Sequence, residues 1–578
     1  MQTLLKLLKP YKKKLILVAL TDAAGMLLSL FMPFIMSMIV DGGIAAGNMR
    51  VILYSALAML ILTALSLTSN LIANRLNSAV TCNYTRDLCK ATYEKITALS
   101  YTQYAKIGPS GLLTRATDDI FNIEGAISSI VYTVVTVPVM LIGSAALALI
   151  ADVTLSLIFM LSIPPVMLIV YVFMKPLYNM WDKSDAYVDE QNKIVRERLS
   201  GLRVVRAFNN DKKEHTRAKF ATEEMAKYMI RANVRSGYIE PVAMFLLNLA
   251  TVVMVGAAGY RAEVGLLGEA GDIIAIIQYV ALISGALLNL SWTIAWLPRL
   301  KVSIRRINEV HSLTDETSGE ATLPTNADIV LKDVSFTYPD GREPVLKNIN
   351  LEIKTGENIA FIGGTGSGKT TLARLLVALF DVKEGDISIG GENYRKLKKS
   401  DVRDKFSIAL SRGMIFEGTL AENVKMGKPE ASEEEIYSAL KDVCMEDFVK
   451  SSDKGLEHFL VGLGNNVSGG QKQRINMART VIRDTDVYIF DDCFSALDFI
   501  TESKVKANLA KRLCGKTQIT ITQRVSTAMK SDKIYLMDKG EIIASGTHRE
   551  LLENSEIYRE ICISQLGKKA IGGETNED

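Results

Sequence analysis

One stretch of the chain combines glycines, a lysine and hydroxyl side chains at a spacing that suits phosphate binding. It fits the pattern G-x-x-x-x-G-K-[ST] and consists of Gly363, Gly364, Thr365, Gly366, Ser367, Gly368, Lys369, Thr370 and Thr371. An apolar run of strand length precedes it, and an amphipathic, helix-like run follows it. The glycines allow backbone N–H groups to approach a phosphate, Lys369 should reach the β- and γ-phosphates, and the Thr370 hydroxyl should bind Mg²⁺. The stretch therefore predicts a site for ATP with Mg²⁺.

Three further segments in the second half contribute residues for the same chemistry. Residues 487–491 form an apolar strand that ends in Asp491, a carboxylate placed to hold Mg²⁺. Tyr338 follows an early strand, and its ring could stack on a nucleotide base. A second glycine-containing turn opens a helix and could bind phosphate. It is made of Ser468, Gly469, Gly470 and Gln471.

The residues before about position 300 hold nearly all of the apolar excess of this chain, which is 48% hydrophobic with a mean hydropathy of +0.17. Six segments are each long enough to cross the hydrocarbon core of a bilayer, which takes about 20 residues. They cover residues 15–40, 51–72, 126–150, 153–173, 241–260 and 273–296. The pattern predicts a multi-pass membrane protein in contact with the lipid bilayer.

Lysine and arginine are distributed unevenly among the loops between these segments. They are frequent in the N-terminus, in residues 75–125 and 175–238 and after Arg299, whereas the three remaining loops carry only Arg50 and Arg261. Because basic loops stay in the cytoplasm, both termini and the second half of the chain are predicted to be cytoplasmic, with the protein in the cell (plasma) membrane. A soluble helical bundle would not explain this asymmetry.

The change in composition divides the 578 residues into four parts. The predicted fold has six transmembrane α-helices with long cytoplasmic extensions, residues 1–312, fused through a linker, 313–328, to an α/β P-loop nucleotide-binding domain, 329–565; residues 566–578 are predicted to be a disordered tail. Six cysteines without a C-x-x-C or a disulfide-framework spacing are typical of a reduced, cytosol-facing protein. The net charge of +3 gives no indication of nucleic acid, and no nucleic-acid partner is predicted.

The nucleotide-binding segments resemble those of the ATP-binding cassette (ABC) family. Residues 467–471 are similar to its signature motif. The residues similar to its D-loop are Ser495, Ala496, Leu497 and Asp498. Six spans ahead of one cassette resemble a multidrug-exporter-like half-transporter (type IV), and residues 111–119 and 197–208 resemble its intracellular loops, which end in coupling helices. The resemblance implies a dimer in which ATP lies between the glycine-rich run of one chain, residues 363–371 or Walker A run, and the signature of the other. ATP then drives the spans between inward- and outward-facing states.

Three residues depart from the family's pattern for hydrolysis. Asp492 stands after Asp491, where the family usually has the glutamate that polarises the attacking water, and aspartate is one methylene shorter. Gln523 replaces the switch histidine; it can donate a hydrogen bond but carries no charge. Ser411 replaces a glutamine that positions Mg²⁺ and water, and serine is a weaker ligand there. The departures predict a site that binds ATP and hydrolyses it poorly.

An intact signature beside a depleted hydrolytic site resembles one chain of a heterodimeric exporter, whose signature completes the competent site of a second half-transporter. Two alternatives stay open: a slow homodimeric exporter of lipid, peptide or drug with Asp492 as its base, and a nucleotide-gated channel or regulatory subunit. The resemblance implies a small, amphipathic or drug-like substrate. Asp22, an ionisable residue inside the first span, is a candidate for the substrate cavity because charge at membrane depth is costly.

Overall fold

The structure, a computed structural model, describes residues 2–161, 163–264, 270–321, 324, 328–339, 341–411 and 413–567. The chain folds into two compact units. The first comprises Met1–Thr97 and Pro109–Leu313, and the second comprises Ala98–Gly108 and Thr314–Asp578. The part of the predicted disordered tail from 568 to 578 lies outside the described residues.

Helices form the first unit, and the longest of them continue well beyond its apolar segments. They are Gln2–Leu8, Lys12–Met38, the π-helical Ile39–Ala45, Met49–Ala98, Pro109–Ala116, Asp118–Ala151, Val153–Met160, Ile163–Ala207, Asp211–Gly237, Ile239–Glu263 and Ala270–Ser312. Met49–Ala98 has 50 residues, about 75 Å at 1.5 Å per residue, which is more than twice the hydrocarbon thickness. Over the described ranges, six helical stretches are long and apolar enough to span a bilayer. This confirms the prediction of six spanning segments.

Two acidic side chains of the first unit are paired with residues of other helices. The Asp22 carboxylate is 6% exposed and accepts a hydrogen bond from Thr136 Oγ1 at 3.0 Å. Arg261, one of the two cations in the predicted outer loops, forms an ion pair with Asp152 at 2.8 Å. Such partners are needed because a desolvated charge without one is costly. In this conformation Asp22 is enclosed by neighbouring helices, and its role in a substrate path stays a prediction.

A six-stranded sheet forms the centre of the second unit. In spatial order its strands are Glu541–Gly546, Lys533–Asp538, Asn358–Ile362, Thr517–Thr522, Val487–Asp491 and Phe406–Ala409. All neighbouring strands run parallel except the first two, which are antiparallel. The apolar strands at the centre are buried, as parallel strands covered on both faces require. The carboxyl ends of the parallel strands meet at one edge, where the predicted site residues follow them.

Further strands and helices complete this unit. An antiparallel sheet has the order Leu346–Ile353, Ile329–Phe336, Glu384–Ile389 and Glu392–Asn393, and Gly418–Thr419 pairs with Phe459–Leu460. The helices are Tyr101–Ile107, Lys369–Leu376, Lys399–Lys405, Leu420–Lys425, Glu433–Asp442, Glu446–Ser451, Gly469–Val481, Phe499–Arg512, Val525–Ala528, His548–Asn554 and Glu556–Leu566. The alternation of strands and helices confirms the predicted α/β fold.

The residues that follow the last long helix are tied to the second unit. The Glu316 N–H donates to the Ala98 carbonyl oxygen at 2.9 Å, and the Glu316 carboxylate accepts from Arg403 at 2.8 Å. The Ala321 N–H donates to the Lys396 carbonyl oxygen at 3.0 Å. The described part of the predicted linker is therefore held by backbone and ionic contacts, which its polar composition did not indicate.

Replacing Thr136 by valine should destabilise the first unit, because valine keeps the size of threonine but leaves the buried Asp22 carboxylate without its donor. We expect a loss of about 0.6–1.7 kcal/mol in the free energy of unfolding, the range for hydrogen bonds between membrane helices. Thr68→Val is the matched control, since the exposed Thr68 hydroxyl donates to the Ala64 carbonyl of its own helix. Thermal unfolding of the purified protein in detergent measures both; equal shifts in the two variants would contradict the role given to the Asp22–Thr136 contact.

Candidate nucleotide site

The glycine-rich run joins the buried strand Asn358–Ile362 to the helix Lys369–Leu376. Gly366 and Gly368 have φ values of +84° and +99°, in a region that residues with side chains rarely adopt. At Gly363, a Cβ atom would lie 2.1 Å from a backbone carbonyl oxygen of the neighbouring strand. Glycine is therefore required in this turn, which presents backbone N–H groups at a helix N-terminus, the arrangement that binds phosphate.

The Lys369 ammonium group lies inside this turn. Its Nζ atom donates hydrogen bonds to the Gly363 and Gly364 carbonyl oxygens at 2.8 and 2.7 Å and to Ser367 Oγ at 3.0 Å. Burial lowers the pKa of Lys369, and two nearby carboxylates oppose this shift. The turn thus holds a cation at the place where the phosphates of a nucleotide would lie, with N–H donors that phosphate oxygens can share.

Thr370 and Asp491 form the pair of oxygen ligands expected for Mg²⁺. Thr370 Oγ1 donates to Asp491 Oδ1 at 3.0 Å, and Asp491 Oδ2 is buried without a hydrogen-bond partner among the described residues. Burial raises the pKa of Asp491, and the hydrogen bond from Thr370 opposes this shift. A buried carboxylate oxygen without a donor is costly unless a cation takes the donor's place. The two residues therefore fit Mg²⁺, which would neutralise phosphate charge when bound.

Asp492 is held by its own backbone contacts. Its φ of +49° lies in the left-handed region, which is unusual for a residue with a side chain. Its N–H donates to the Ile521 carbonyl oxygen at 2.9 Å, and its carbonyl oxygen accepts from Ser495 Oγ at 2.9 Å. Burial raises the pKa of the Asp492 carboxyl. Because the backbone is fixed on both sides, it is not free to shift and compensate for the shorter side chain.

A cavity of about 880 Å³ brings many of the predicted site residues together. The predicted site residues outside its lining are Tyr338, Gly363, Gly364, Ser367, Ser468, Gly470, Gln471, Leu497 and Asp498. Those in its lining are Thr365, Gly366, Gly368, Lys369, Thr370, Thr371, Ser411, Gly469, Asp491, Asp492, Ser495, Ala496 and Gln523. Gln523 Oε1 accepts a hydrogen bond from Thr365 Oγ1 at 3.3 Å, so the switch position contacts the glycine-rich turn. All three departures from the family's hydrolytic pattern thus lie around the same cavity as the Mg²⁺ ligands, and their catalytic roles stay predictions.

The signature turn begins the helix Gly469–Val481 with reciprocal hydrogen bonds. Ser468 Oγ accepts from the Gln471 N–H at 3.2 Å, and Gln471 Oε1 accepts from the Ser468 N–H at 2.7 Å. This capping box satisfies the third helical N–H group and leaves those of Gly469 and Gly470, at the first two positions, directed away from the helix body. The exposed turn is therefore built to present N–H donors and a serine hydroxyl to an anion.

Two residues that sequence analysis did not single out hold the D-loop in place. The Gln473 side chain donates to Ser495 Oγ at 3.3 Å and accepts from the Ala496 N–H at 3.1 Å. The Arg524 guanidinium donates to the Ser495 carbonyl oxygen at 3.0 Å. Asp498 caps the next helix by accepting from the Thr501 N–H, as the pattern Asp-x-x-Thr allows. The D-loop is therefore hydrogen-bonded to the signature helix and to the residue that follows Gln523.

Tyr338 lies in a cluster of aromatic side chains beside the glycine-rich run. Its ring centroid is 5.1 Å from that of Phe336 and 5.2 Å from that of Phe380, both edge to face. Its hydroxyl lies 3.0 Å from Thr371 Oγ1. Phe380 also contacts Tyr101, at 5.1 Å between centroids. The half-buried Tyr338 is held by this packing, and stacking on a base stays a prediction.

Comparisons with known proteins agree on one family. The family described as "ABC transporter transmembrane region" matches residues 15–287, and the family described as "ABC transporter" matches residues 346–495. The chain is 32% identical over 575 residues to the uncharacterized ABC transporter ATP-binding protein Rv1273c of Mycobacterium tuberculosis. It is 30% identical over 571 residues to the uncharacterized ABC transporter ATP-binding protein YfiB of Bacillus subtilis. These alignments cover 98% of this chain and 98% and 99% of the two relatives.

The fold also has a counterpart among solved structures. A bacterial Atm1-family ABC exporter with ATP bound superposes with a TM-score of 0.82 over 98% of this chain and 99% of that chain, at 21% sequence identity. At this identity the likeness concerns the fold, and it extends over both the membrane-spanning helices and the sheet that carries the phosphate-binding turn. The chain belongs to the ABC transporter family, with one membrane-spanning region ahead of one ATP-binding domain.

Proposed function

We propose that this chain is one subunit of a heterodimeric ATP-driven exporter. Its own Walker A run, residues 363–371, binds Mg-ATP but hydrolyses it poorly. Its signature turn, residues 468–471, acts in trans and completes the hydrolytic site of a second half-transporter. One observation carries this proposal: Lys369, Thr370 and Asp491, the groups predicted to bind Mg-ATP, line the same cavity as the three residues that depart from the family's hydrolytic pattern.

The three departures from the family's pattern concern the groups that activate water. A general base must lie within hydrogen-bonding distance of the attacking water, and Asp492 is one methylene shorter than glutamate on a backbone held by two hydrogen bonds. Gln523 cannot supply the charge of an imidazolium ion, and its amide oxygen already accepts from Thr365. Ser411 offers a hydroxyl at the end of a short side chain. Each change weakens the water-activating step without removing a group that holds phosphate.

The signature turn has a different structural basis. Its geometry depends on the capping box between Ser468 and Gln471 and on the bridge from Gln473 to the D-loop. None of these contacts involves Asp492 side-chain atoms, Gln523 or Ser411. The anion-binding turn is therefore complete although the water-activating residues beside the Walker A run are not. This separation supports a division of work between two chains, each providing what the other lacks.

We infer that the transporter lies in the plasma membrane with both termini and the ATP-binding domain in the cytoplasm, because Lys and Arg concentrate in those regions. ATP would then be available to the cavity. Exporter architecture supports transport out of the cytoplasm. We propose small, amphipathic compounds as its substrates, a class that can reach a membrane domain from the lipid. ATP-driven uptake of fluorescent amphipathic dyes into inside-out vesicles, whose outer face is the cytoplasmic face, tests both direction and class.

Lys369→Ala should abolish nucleotide binding at this chain's Walker A run, because the triphosphate loses its main cation. Photolabelling of the purified complex with radiolabelled 8-azido-ATP, followed by separation of the two chains, measures binding at each site. Lys354→Ala, which removes an exposed lysine elsewhere in the same unit, should leave the label in place. In the unmodified complex, a chase with unlabelled ATP before irradiation should reduce the labelling of the partner sooner than that of this chain; an equal decrease in both chains would contradict the slow site.

Ser468→Arg should strongly reduce steady-state ATP hydrolysis by the complex, whereas Asp492→Asn should leave it nearly unchanged. Ser468→Arg removes a donor of the signature turn and adds bulk, and losing one such transition-state contact costs about 10²–10³ in rate. Asp492→Asn changes a base at a site that hardly turns over, so the rate should stay within about threefold, under ~1 kcal/mol of barrier. A homodimer that uses Asp492 as its base would lose ATP hydrolysis in both variants. A nucleotide-gated channel would conduct ions but show no ATP-dependent efflux, in either variant.

A further inference from the structure

Glu502 is a buried carboxylate in the first turn of the helix Phe499–Arg512, outside the lining of the nucleotide cavity. Its side chain is held by donors on both oxygens, and the residue is 5% exposed. Oε1 accepts hydrogen bonds from Lys506 Nζ at 2.5 Å and Thr527 Oγ1 at 2.8 Å, and Oε2 accepts from Arg524 Nη1 at 2.8 Å. Charge-assisted hydrogen bonds on both sides fix the carboxylate in one orientation.

The charge of Glu502 keeps two neighbouring cations in place. Burial alone would raise the pKa of Glu502, but the hydrogen bonds from Lys506 and Thr527 lower this pKa below its ordinary value, so the carboxyl group is ionised at neutral pH. Lys506 has further contacts, since its Nζ atom donates to Thr527 Oγ1 at 2.9 Å and lies 5.2 Å from the Phe494 ring centroid. Arg524 is partly exposed and close enough to Lys506 for the two cations to repel each other. Without the carboxylate, the Arg524 side chain would therefore move.

The Arg524 guanidinium group connects this carboxylate to the D-loop. Its Nη1 atom donates to Glu502, and its Nη2 atom donates to the Ser495 carbonyl oxygen at 3.0 Å. A guanidinium group is planar and rigid, so fixing one of its nitrogen atoms sets the direction in which the other donates. Through this group, the Glu502 carboxylate determines where the Ser495 carbonyl oxygen is held.

The backbone around Arg524 is fixed separately, by the last helix of the unit, Glu556–Leu566. The Gln565 side chain accepts a hydrogen bond from the Val525 N–H at 2.8 Å and donates to the Gln523 carbonyl oxygen at 2.8 Å. These two bonds lie on either side of residue 524 and restrain its main chain. The direction of the Arg524 side chain is therefore decided by the carboxylate that it contacts and not by the path of the backbone.

We propose that Glu502 is a positioning residue for ATP hydrolysis, which holds the D-loop beside the signature helix by fixing the Arg524 guanidinium. Ser495 is the point of contact. Its carbonyl oxygen accepts from Arg524, while its hydroxyl donates to the Asp492 carbonyl oxygen at 2.9 Å and accepts from the Gln473 side chain at 3.3 Å. A shift of Ser495 would alter the geometry of the signature helix and of Asp492 together. This role rests on ATP hydrolysis by the protein but not on a difference between two ATP sites, which Asp492→Asn tests separately.

Steady-state ATP hydrolysis by the purified transporter, measured against ATP concentration, tests this role. Glu502→Gln keeps the size of the side chain and removes its charge, and Arg524→Met removes the guanidinium group. Each should lower kcat by about ten- to a hundredfold, because a misplacement of about 1 Å can cost about 10² in rate, while KM for ATP stays within about twofold. The amount of ATP bound per transporter should not change, since the predicted ligands of ATP and Mg²⁺ keep their contacts. Glu560→Gln, which removes an exposed carboxylate of the last helix, should leave all three values unchanged.

The double variant Glu502→Gln/Arg524→Met shows whether Glu502 acts through Arg524. Its kcat should match that of Arg524→Met within about threefold, because the effects of residues that act as a unit are not additive. If Glu502→Gln does not fold, Glu502→Gln/Lys506→Met replaces it in both comparisons, since it removes the buried carboxylate together with a cation that it neutralises.

Three outcomes would overturn this role. They are losses of kcat that multiply in the double variant, an unchanged kcat in Arg524→Met or in the Glu502 variant, and a fall in kcat matched by an equal fall in bound ATP, which would show general damage to the fold.

Discussion

The contact between Thr370 and Asp491 is the interaction on which the nucleotide-binding unit depends. It joins a hydroxyl at a helix start to a carboxylate at a strand end, 121 residues apart, and leaves one buried carboxylate oxygen without a donor. The order of the sheet brings these atoms together, because the parallel strands Asn358–Ile362 and Val487–Asp491 are separated by one strand, Thr517–Thr522. An unsatisfied buried oxygen destabilises the folded protein, and a bound Mg²⁺ would remove that destabilisation. The glycine-rich turn and Lys369 lie beside the Thr370–Asp491 contact. The sheet therefore positions the charged groups of the site as well as the apolar core.

Hydrogen bonds between side chain and backbone connect that point to the rest of the site. Gln473 links the signature helix to the D-loop, and Arg524 links the D-loop to the segment that follows the strand Thr517–Thr522 and contains Gln523. Both contacts involve Ser495 or Ala496, and the Ser495 hydroxyl also donates to the Asp492 carbonyl oxygen. A movement of the D-loop would therefore shift the signature helix and Asp492 together. In the dimer that we propose, this network would give a physical route by which occupancy of one site could alter the other.

The sequence predicted those features that depend on local pattern. Glycines with positive φ, an apolar strand ending in Asp491 and six long apolar segments are each visible within a short window. It did not predict the contacts of Gln473 and Arg524, or the pairing of Ala98 with Glu316, because those partners are brought together only by the fold. The signals for such contacts are single polar residues, and single polar residues are common on any surface.

The membrane unit obeys a complementary constraint. A transporter must be stable in each of its states and yet able to leave it, so contacts between spanning helices have to be few and individually weak. The Asp22–Thr136 hydrogen bond at 3.0 Å is of this kind, whereas the Arg261–Asp152 ion pair and the hydrogen bond from the Gly271 N–H to Asp41 at 2.7 Å join the helices outside the predicted spans. Hydrogen bonds between membrane helices average about 0.6 kcal/mol and reach about 1.7 kcal/mol. Contacts of that size can order one arrangement of helices and still be exchanged when ATP binding changes the state of the protein.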